Sequence, residues 1–401
     1  MTVDQGGVPA EVRLARAWLS RAVEPGSVAM WRFVTEAGPV AAAAALRAGR
    51  APQAVQALVG TRAQEDQGLD DLARVQRSGG RLVVPEDAEW PAAALHCLTL
   101  GALQQQAEEG DRHRHRDRTT SLVPPLALWV RGDRALDELV DRSVALVGSR
   151  ASTAYGEHVA AELASGLGER GWTTVSGGAF GIDAAAHRGS LAVEAPTVVV
   201  LACGVERAYP SGHSALFARV LDHGALVSEW PPGCAPLRHR FLVRNRLIAA
   251  LTRGTVVVEA AARSGAQATA HRARDLGRSV MAVPGPVTSA MSVGCHELLR
   301  DRERGATLVT SAAEVVETVG RLGEDLVPPA ERPGSARDTL SDVARRVLDA
   351  CPVRVGVSPE RLATVAGCEV LDVLRVLPAL ELHGLVEWTG TGWRVAPPPR
   401  R

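Results

Sequence analysis

Three stretches of this chain combine residue types suited to holding phosphate oxygens. Gly148-Ser149-Arg150 follows the apolar run Val144–Val147 and precedes a helical stretch, Glu157–Arg170. At such a strand-to-helix turn, backbone N–H groups, a hydroxyl and a planar guanidinium can converge on one anion. Ser176-Gly177-Gly178-Ala179-Phe180-Gly181-Ile182-Asp183 repeats the arrangement after a second apolar run, with three glycines that admit positive φ and close backbone approach. The third stretch is electrostatic. From Arg238 to Arg278, nine Arg face only Glu259 and Asp275, a local charge of +7, and Arg244-Asn245-Arg246 within it holds the chain's only Asn. A run of Arg can be a solvated face, but beside two glycine turns in a chain of zero net charge it points to several phosphates. Asp183 and His187 lie four residues apart on one helix face. That spacing admits an acid–base couple, although a helix-start carboxylate beside a buried, orienting histidine accounts for it more simply.

Other chemistries are excluded by what is missing. All 45 basic residues are Arg, so there is no P-loop, Schiff-base or kinase-type lysine. Neither glycine stretch spells G-x-G-x-x-G and no strand ends in G-x-S-x-G, which argues against a nicotinamide or flavin dehydrogenase and a serine hydrolase. His113 and His115 alternate with Arg, which would repel a cation, so residues 101–121 are expected to be a flexible insertion and not a metal site. No catalytic residue, metal or cofactor is assigned. The six Cys are scattered singly, as in a reduced cytosolic protein. With no signal-like start and only strand-length apolar runs, a cytoplasmic protein is expected, off the membrane. Aromatics make up only 3% of the chain, so a row of stacked bases is not expected. Phe180 and Phe241 are the plausible stacking partners, and binding should be backbone-driven and sequence-tolerant.

The elements that must position these residues are legible from periodicity. Unalternated, β-branched runs occur at Val144–Val147, Thr173–Ser176, Thr197–Ala202, Ala225–Ser228, Thr255–Glu259, Ser279–Val283 and Thr307–Thr310, with helical stretches between most of them. Such runs are buried on both faces, which predicts an α/β protein with a Rossmann-like, doubly wound, mostly parallel sheet over residues 81–321. Residues 1–80 read as a small helical domain and 322–340 as a Pro/Gly-rich linker. Residues 341–401 read as three helices and a hairpin, a winged helix. Its third helix sets Arg375 against Glu369, Asp372 and Glu381, which favours protein contact or packing over reading DNA.

Val-Ala-Leu-Val-Gly-Ser-Arg (144–150) with Tyr155-Gly156, and Val-Ser-Gly-Gly-Ala-Phe-Gly-Ile-Asp-Ala-Ala-Ala-His (175–187), resemble the DNA-processing protein A (DprA/Smf) family. So do Tyr209-Pro210, Ser228-Glu-Trp-Pro-Pro-Gly233, Phe241 with Arg244-Asn-Arg-Leu-Ile-Ala249, Val258-Glu-Ala260, Ser264-Gly265, Thr269-Ala270 and Ala282-Val-Pro-Gly285. The resemblance implies a non-enzymatic, homodimeric mediator that binds single-stranded DNA and loads RecA recombinase onto SSB-coated DNA, as in natural transformation. It suits an N-terminal domain of the SAM or helix-hairpin-helix kind. It implies a DNA-phosphate pocket lined by Gly148, Ser149, Arg150, Ser176, Gly177, Gly178, Gly181, Asp183, Phe241, Arg244, Asn245, Arg246, Ser264 and Gly265. A rival comes from the Rossmann-like phosphoribohydrolases, whose P-G-G-x-G-T-x-x-E signature is approached only by Gly254-Thr-Val-Val-Val-Glu259, without the preceding glycine run.

Overall fold

Each of the seven β-branched runs becomes a strand of one sheet. In the computed structural model, which describes residues 7–60, 67–109, 122–321, 325 and 340–397, they are β3 (Ser143–Val147), β4 (Thr173–Ser176), β5 (Thr197–Leu201), β6 (Ala225–Ser228), β7 (Gly254–Val257), β8 (Ser279–Ala282) and β9 (Thr307–Leu308). Two further strands precede them, β1 (Gly80–Val83) and β2 (Leu128–Arg131). The order is β1-β2-β6-β5-β4-β3-β7-β8-β9, with β2 antiparallel to β6, β1 antiparallel to β2 and the rest parallel. Every residue of β3 to β7 is buried, as the lack of alternation requires. The chain is therefore α/β around a large, mostly parallel sheet.

Strand order reverses between β3 and β7. Chains leaving these two strands diverge to opposite sides and leave a crevice beyond their carboxyl ends, where ligands settle in open α/β sheets. Helix Arg238–Ala250 covers this region and buries Leu247, Ile248, Ala249 and Ala250 in the principal core cluster. Helices Ala154–Gly168 and Ile182–Ala192 pack on each other so closely that a Cβ on Gly189 would run into the Ala161 backbone.

Helices Ala10–Ala22, Val28–Ala37, Pro39–Arg47 and Gln53–Val59 enclose their own cluster of Trp18, Leu19, Met30, Val34, Leu46, Val55 and Val59. They belong to the same compact unit as the sheet, which runs to Leu326. The expected insertion at 101–121 is helical as far as Glu109, within helix Ala92–Glu109, and its remainder, with His113 and His115, lies outside the described residues. So does the expected linker at 322–340, apart from Asp325 and Leu340.

The second unit, Val327–Arg401, holds helices Asp342–Ala350, Pro359–Ala366 and Val370–Leu382, then the antiparallel pair β10 (Val386–Trp388) and β11 (Trp393–Val395). Val347, Leu348, Leu362, Val373, Leu377, Leu380 and Val386 form its core. Among the described residues, no helix is long and apolar enough to cross a membrane.

Candidate nucleic-acid interface

An open cavity of about 850 Å³ occupies the crevice at the β3/β7 reversal. Gly148, Ser149 and Arg150 line it from the loop after β3, and Ala179 and Asp183 from the loop after β4. Arg238, Phe241, Arg244 and Asn245 face it from one helix, while Arg263, Ser264 and Gly265 bring in the N-terminus of helix Gly265–Asp275. Tyr209 closes one side.

The loops are held by buried polar groups. Ser149 N–H donates to the Glu259 carbonyl (2.8 Å), and the Ser149 carbonyl accepts from Ile182 N–H (3.2 Å). The Glu259 carboxylate accepts from Thr153 Oγ1 (2.6 Å) and Thr153 N–H (2.9 Å), fixing the start of the next helix. Gly181 has φ +77° and its missing Cβ is where the Ser149 and Arg150 carbonyls pass, so the two glycine loops lock together. Asp183 accepts from the N–H groups of Gly177 (3.2 Å) and Ala179 (3.3 Å). Burial raises its pKa, against the opposing pull of the Arg244 cation. His187 is fully buried, with Nδ1 2.7 Å from Thr197 Oγ1, and burial pushes its pKa down to about 3. It therefore stays neutral and bonds Thr197, so the orienting reading describes it and an Asp183–His187 couple does not.

Arg244 is only 6% exposed. Its guanidinium donates to the carbonyls of Gly177 (3.0 Å) and Val200 and to Asn245 Oδ1 (3.3 Å). A Cβ on Gly177 would lie 2.6 Å from the guanidinium, so this glycine makes room for an arginine and not for a phosphate. Burial lowers the Arg244 pKa to about 10, with Asp183 opposing and Arg150 adding to the drop, which leaves it cationic at neutral pH. Asn245 Nδ2 donates to the Gly265 carbonyl (3.3 Å), tying this helix to the loop of Ser264, whose hydroxyl caps Gln267 N–H.

Of the residues expected at the pocket, Gly148, Ser149, Arg150, Asp183, Phe241, Arg244, Asn245, Ser264 and Gly265 come together. Ser176, Gly177, Gly178, Gly181 and Arg246 stand behind the surface. Ser176 Oγ donates to the Leu146 carbonyl (2.6 Å), and Gly178 faces Phe217 and Val199. Arg246 is wholly buried and pairs with Glu229 at 2.8 Å. One residue beyond Asn245, it is turned about 100° around the helix.

The +7 run disperses on folding. Arg240 pairs with Glu24 (2.6 Å), Arg253 with Asp141 (3.2 Å), Arg272 with Asp275 (3.6 Å) and Arg274 with Asp301 (3.0 Å), while Arg278 donates to the carbonyls of Ala94 and Ala250. Apart from the buried Arg244, what faces the cavity is smaller: Arg238 and Arg263 from the run, with Arg150 from the β3 loop, all exposed and without a carboxylate partner among the described residues. Arg150 rests over the Phe241 ring at 5.4 Å. Its exposure, with Glu229 and Glu259 both engaged elsewhere, rules out a buried Arg150–carboxylate pair. Sequence reasoning missed Tyr209, whose ring lies 5.7 Å from that of Phe241. It stands more than 30 residues from Phe241, and only the fold reveals the pairing.

A family model described as DNA recombination-mediator protein A matches residues 114–320. The putative DNA processing protein DprA of Mycobacterium tuberculosis is 48% identical over 383 residues, 95% of this chain and 94% of that protein. The chain belongs to this family. Protein Smf of Escherichia coli, 39% identical over 266 residues, covers 65% of the chain and 69% of its own length. The X-ray structure of DNA processing protein A from Streptococcus pneumoniae superposes with a TM-score of 0.58 at 27% identity, over 78% of this chain and 99% of that one. Family membership makes the protein a DNA-processing recombination mediator. Within the two glycine loops, Gly177, Gly178 and Gly181 lock the crevice from behind, whereas Gly148 lines it.

Proposed function

We propose that this protein binds the backbone of single-stranded DNA in the crevice between β3 and β7 and, as a recombination mediator, delivers the strand to RecA. The observation that carries the reading is the ring of Arg150, Arg238 and Arg263, exposed and without a carboxylate partner among the described residues, around an open cavity that also receives a helix N-terminus at Gly265. Gly148, Ser149, Ser264 and Gly265 supply backbone and hydroxyl donors, and Arg244, Asn245 and Asp183 hold the loops that present them. A positively charged groove of this kind tracks the backbone of a single strand without reading its sequence. Glu259, which a phosphoribohydrolase would need free for catalysis, is spent on Thr153.

Residues 341–401 are read as a winged helix, supported by three helices and a hairpin, and residues 1–80 as a SAM or helix-hairpin-helix module. Homodimerisation, displacement of SSB and a cytoplasmic location accompany the family reading. The primary test is fluorescence anisotropy with single-stranded and duplex oligonucleotides of equal length across a salt series. Preference for the single strand with a linear fall of log K against log salt supports the proposal; equal binding of duplex, or a flat salt response, refutes it. Filament formation by RecA on SSB-coated strands, with and without the protein, tests delivery.

A further inference from the structure

The whole chain has four Phe and two Tyr; two of these six rings, Phe241 and Tyr209, line one cavity, and a third, Phe180, directly follows the cavity-lining Ala179. Phe241 lies half-buried with Arg150 and Arg244 over its ring at 5.4 and 5.9 Å, so cations already occupy its surroundings. Tyr209, 5.7 Å away, is 43% exposed. The segment that follows it leads directly to Phe180: Gly212 lies against the Phe180 ring, and His213 meets that ring edge-on at 4.5 Å. His213 is itself buried, anchored through Nδ1 to the Gly178 carbonyl (2.9 Å) and packed on Phe217. Phe180, at 52% exposure, is thus a ring held firmly from beneath and bare above. A soluble protein with so few aromatic residues gains nothing in stability by displaying two of them on a supported ledge.

Resting on the single-strand reading above, the geometry points to Tyr209 and Phe180 as a base-stacking ledge that continues from the arginine-ringed cavity along residues 209–213. The arginines take phosphates and the ledge takes the flat faces of the bases that leave the crevice. Stacking of this kind is indifferent to base identity and contributes independently of salt, because no counterion is released when a base meets a ring.

The test uses the full chain with two 20-nucleotide probes, oligo-dT and an abasic strand of the same backbone. Phe180→Ala and Tyr209→Ala are each expected to weaken oligo-dT binding by about fivefold to a hundredfold with an unchanged salt slope, and to leave abasic binding as in the wild type. Tyr209→Phe should bind oligo-dT like the wild type. Both rings are exposed, so melting temperature is expected to hold and serves as the folding control. Wild-type affinity for oligo-dT alongside alanine variants that match it, or that lose equally on the abasic strand, overturns the ledge while leaving the phosphate site standing. A wild type that does not bind oligo-dT at all overturns both readings.

Discussion

Arg150 and Arg244 contact the same phenylalanine, yet their replacement by alanine should have opposite signatures. Arg244 donates to two carbonyls, Gly177 in the loop after β4 and Val200 near the end of β5, and it is the cation that restrains the buried Asp183. Hydrogen bonds from a charged donor contribute about 1.5–3 kcal/mol each, so Arg244→Ala should cost roughly 3–5 kcal/mol. At about 2 °C per kcal/mol for a large unit, melting should fall by roughly 6–10 °C. The loss should also depend on pH. Asp183 has a folded pKa raised by burial, and removing Arg244 raises it further. A carboxyl with a raised folded pKa favours the folded state below its unfolded value and penalises it as pH rises through the folded one. The gap between wild type and variant should therefore narrow towards pH 4–5 and widen at pH 8. Arg150, exposed and bonded to no carboxylate, should lose no melting temperature as Arg150→Ala, yet bind single strands about tenfold to a hundredfold more weakly. Urea or thermal melts at pH 5 and 8, with anisotropy on the same samples, measure both. Arg244→Ala melting within 2 °C of the wild type at pH 8, or Arg150→Ala melting as low as Arg244→Ala, would refute the division.

With three exposed arginines at the cavity that have no carboxylate partner among the described residues, the slope of log K against log salt for a single strand should be about −2, and each Arg→Ala change at Arg150, Arg238 or Arg263 should flatten it by about 0.7; a slope of about −6 would show that all nine arginines of the run are engaged. His187, neutral in the fold with a pKa near 3, lets the unfolded chain take a proton first as pH falls below 6.5, so stability should drop by about 2 kcal/mol between pH 7.5 and pH 5 from this residue. His187→Asn, which keeps a partner for Thr197, should remove that part of the slope in pH-dependent urea melts. Deleting residues 341–401, whose third helix is net acidic, should leave single-strand affinity within a few-fold of the intact chain; a hundredfold loss would place DNA contacts in that unit.

The sheet was readable because burial on both faces forbids alternation, and β3 to β7 carry that mark throughout, whereas the two residues of the edge strand β9 are exposed. β2 (Leu128–Arg131) is buried in its first three residues as well, but it stands outside the strand–helix alternation and pairs antiparallel with β6 at a distance of almost a hundred residues. The glycine turns were legible as loops at strand ends, but their purpose was not. Gly177 and Gly181 make room for Arg244 and for the carbonyls of Ser149 and Arg150, contacts between loops that no local pattern encodes. Net charge along the chain misled more seriously. Counting arginines over 41 residues ignores that helix Arg238–Ala250 turns successive side chains to different surroundings, so that Arg240 meets Glu24, Arg244 meets carbonyls and Arg246 meets Glu229.

That dispersal bears on how an all-arginine protein can build such a site. Arginine remains charged when buried and offers several donors in a rigid fork, so it can serve as an internal strut where lysine would lose its proton or its geometry. Arg244 and Arg246 act in this way: one braces the loop after β4 against the end of β5, the other pairs with Glu229 beneath the same helix. Their burial is what leaves the cavity rim to Arg150, Arg238 and Arg263, whose forks stay free. The contact layer is thus kept sparse and the framework heavily charged, the reverse of what the linear sequence suggests. Substitution by lysine should separate the layers: at the rim it preserves the charge and part of the affinity, whereas at Arg244 a single ammonium cannot reach both Gly177 and Val200, and the loops should loosen although the charge is retained.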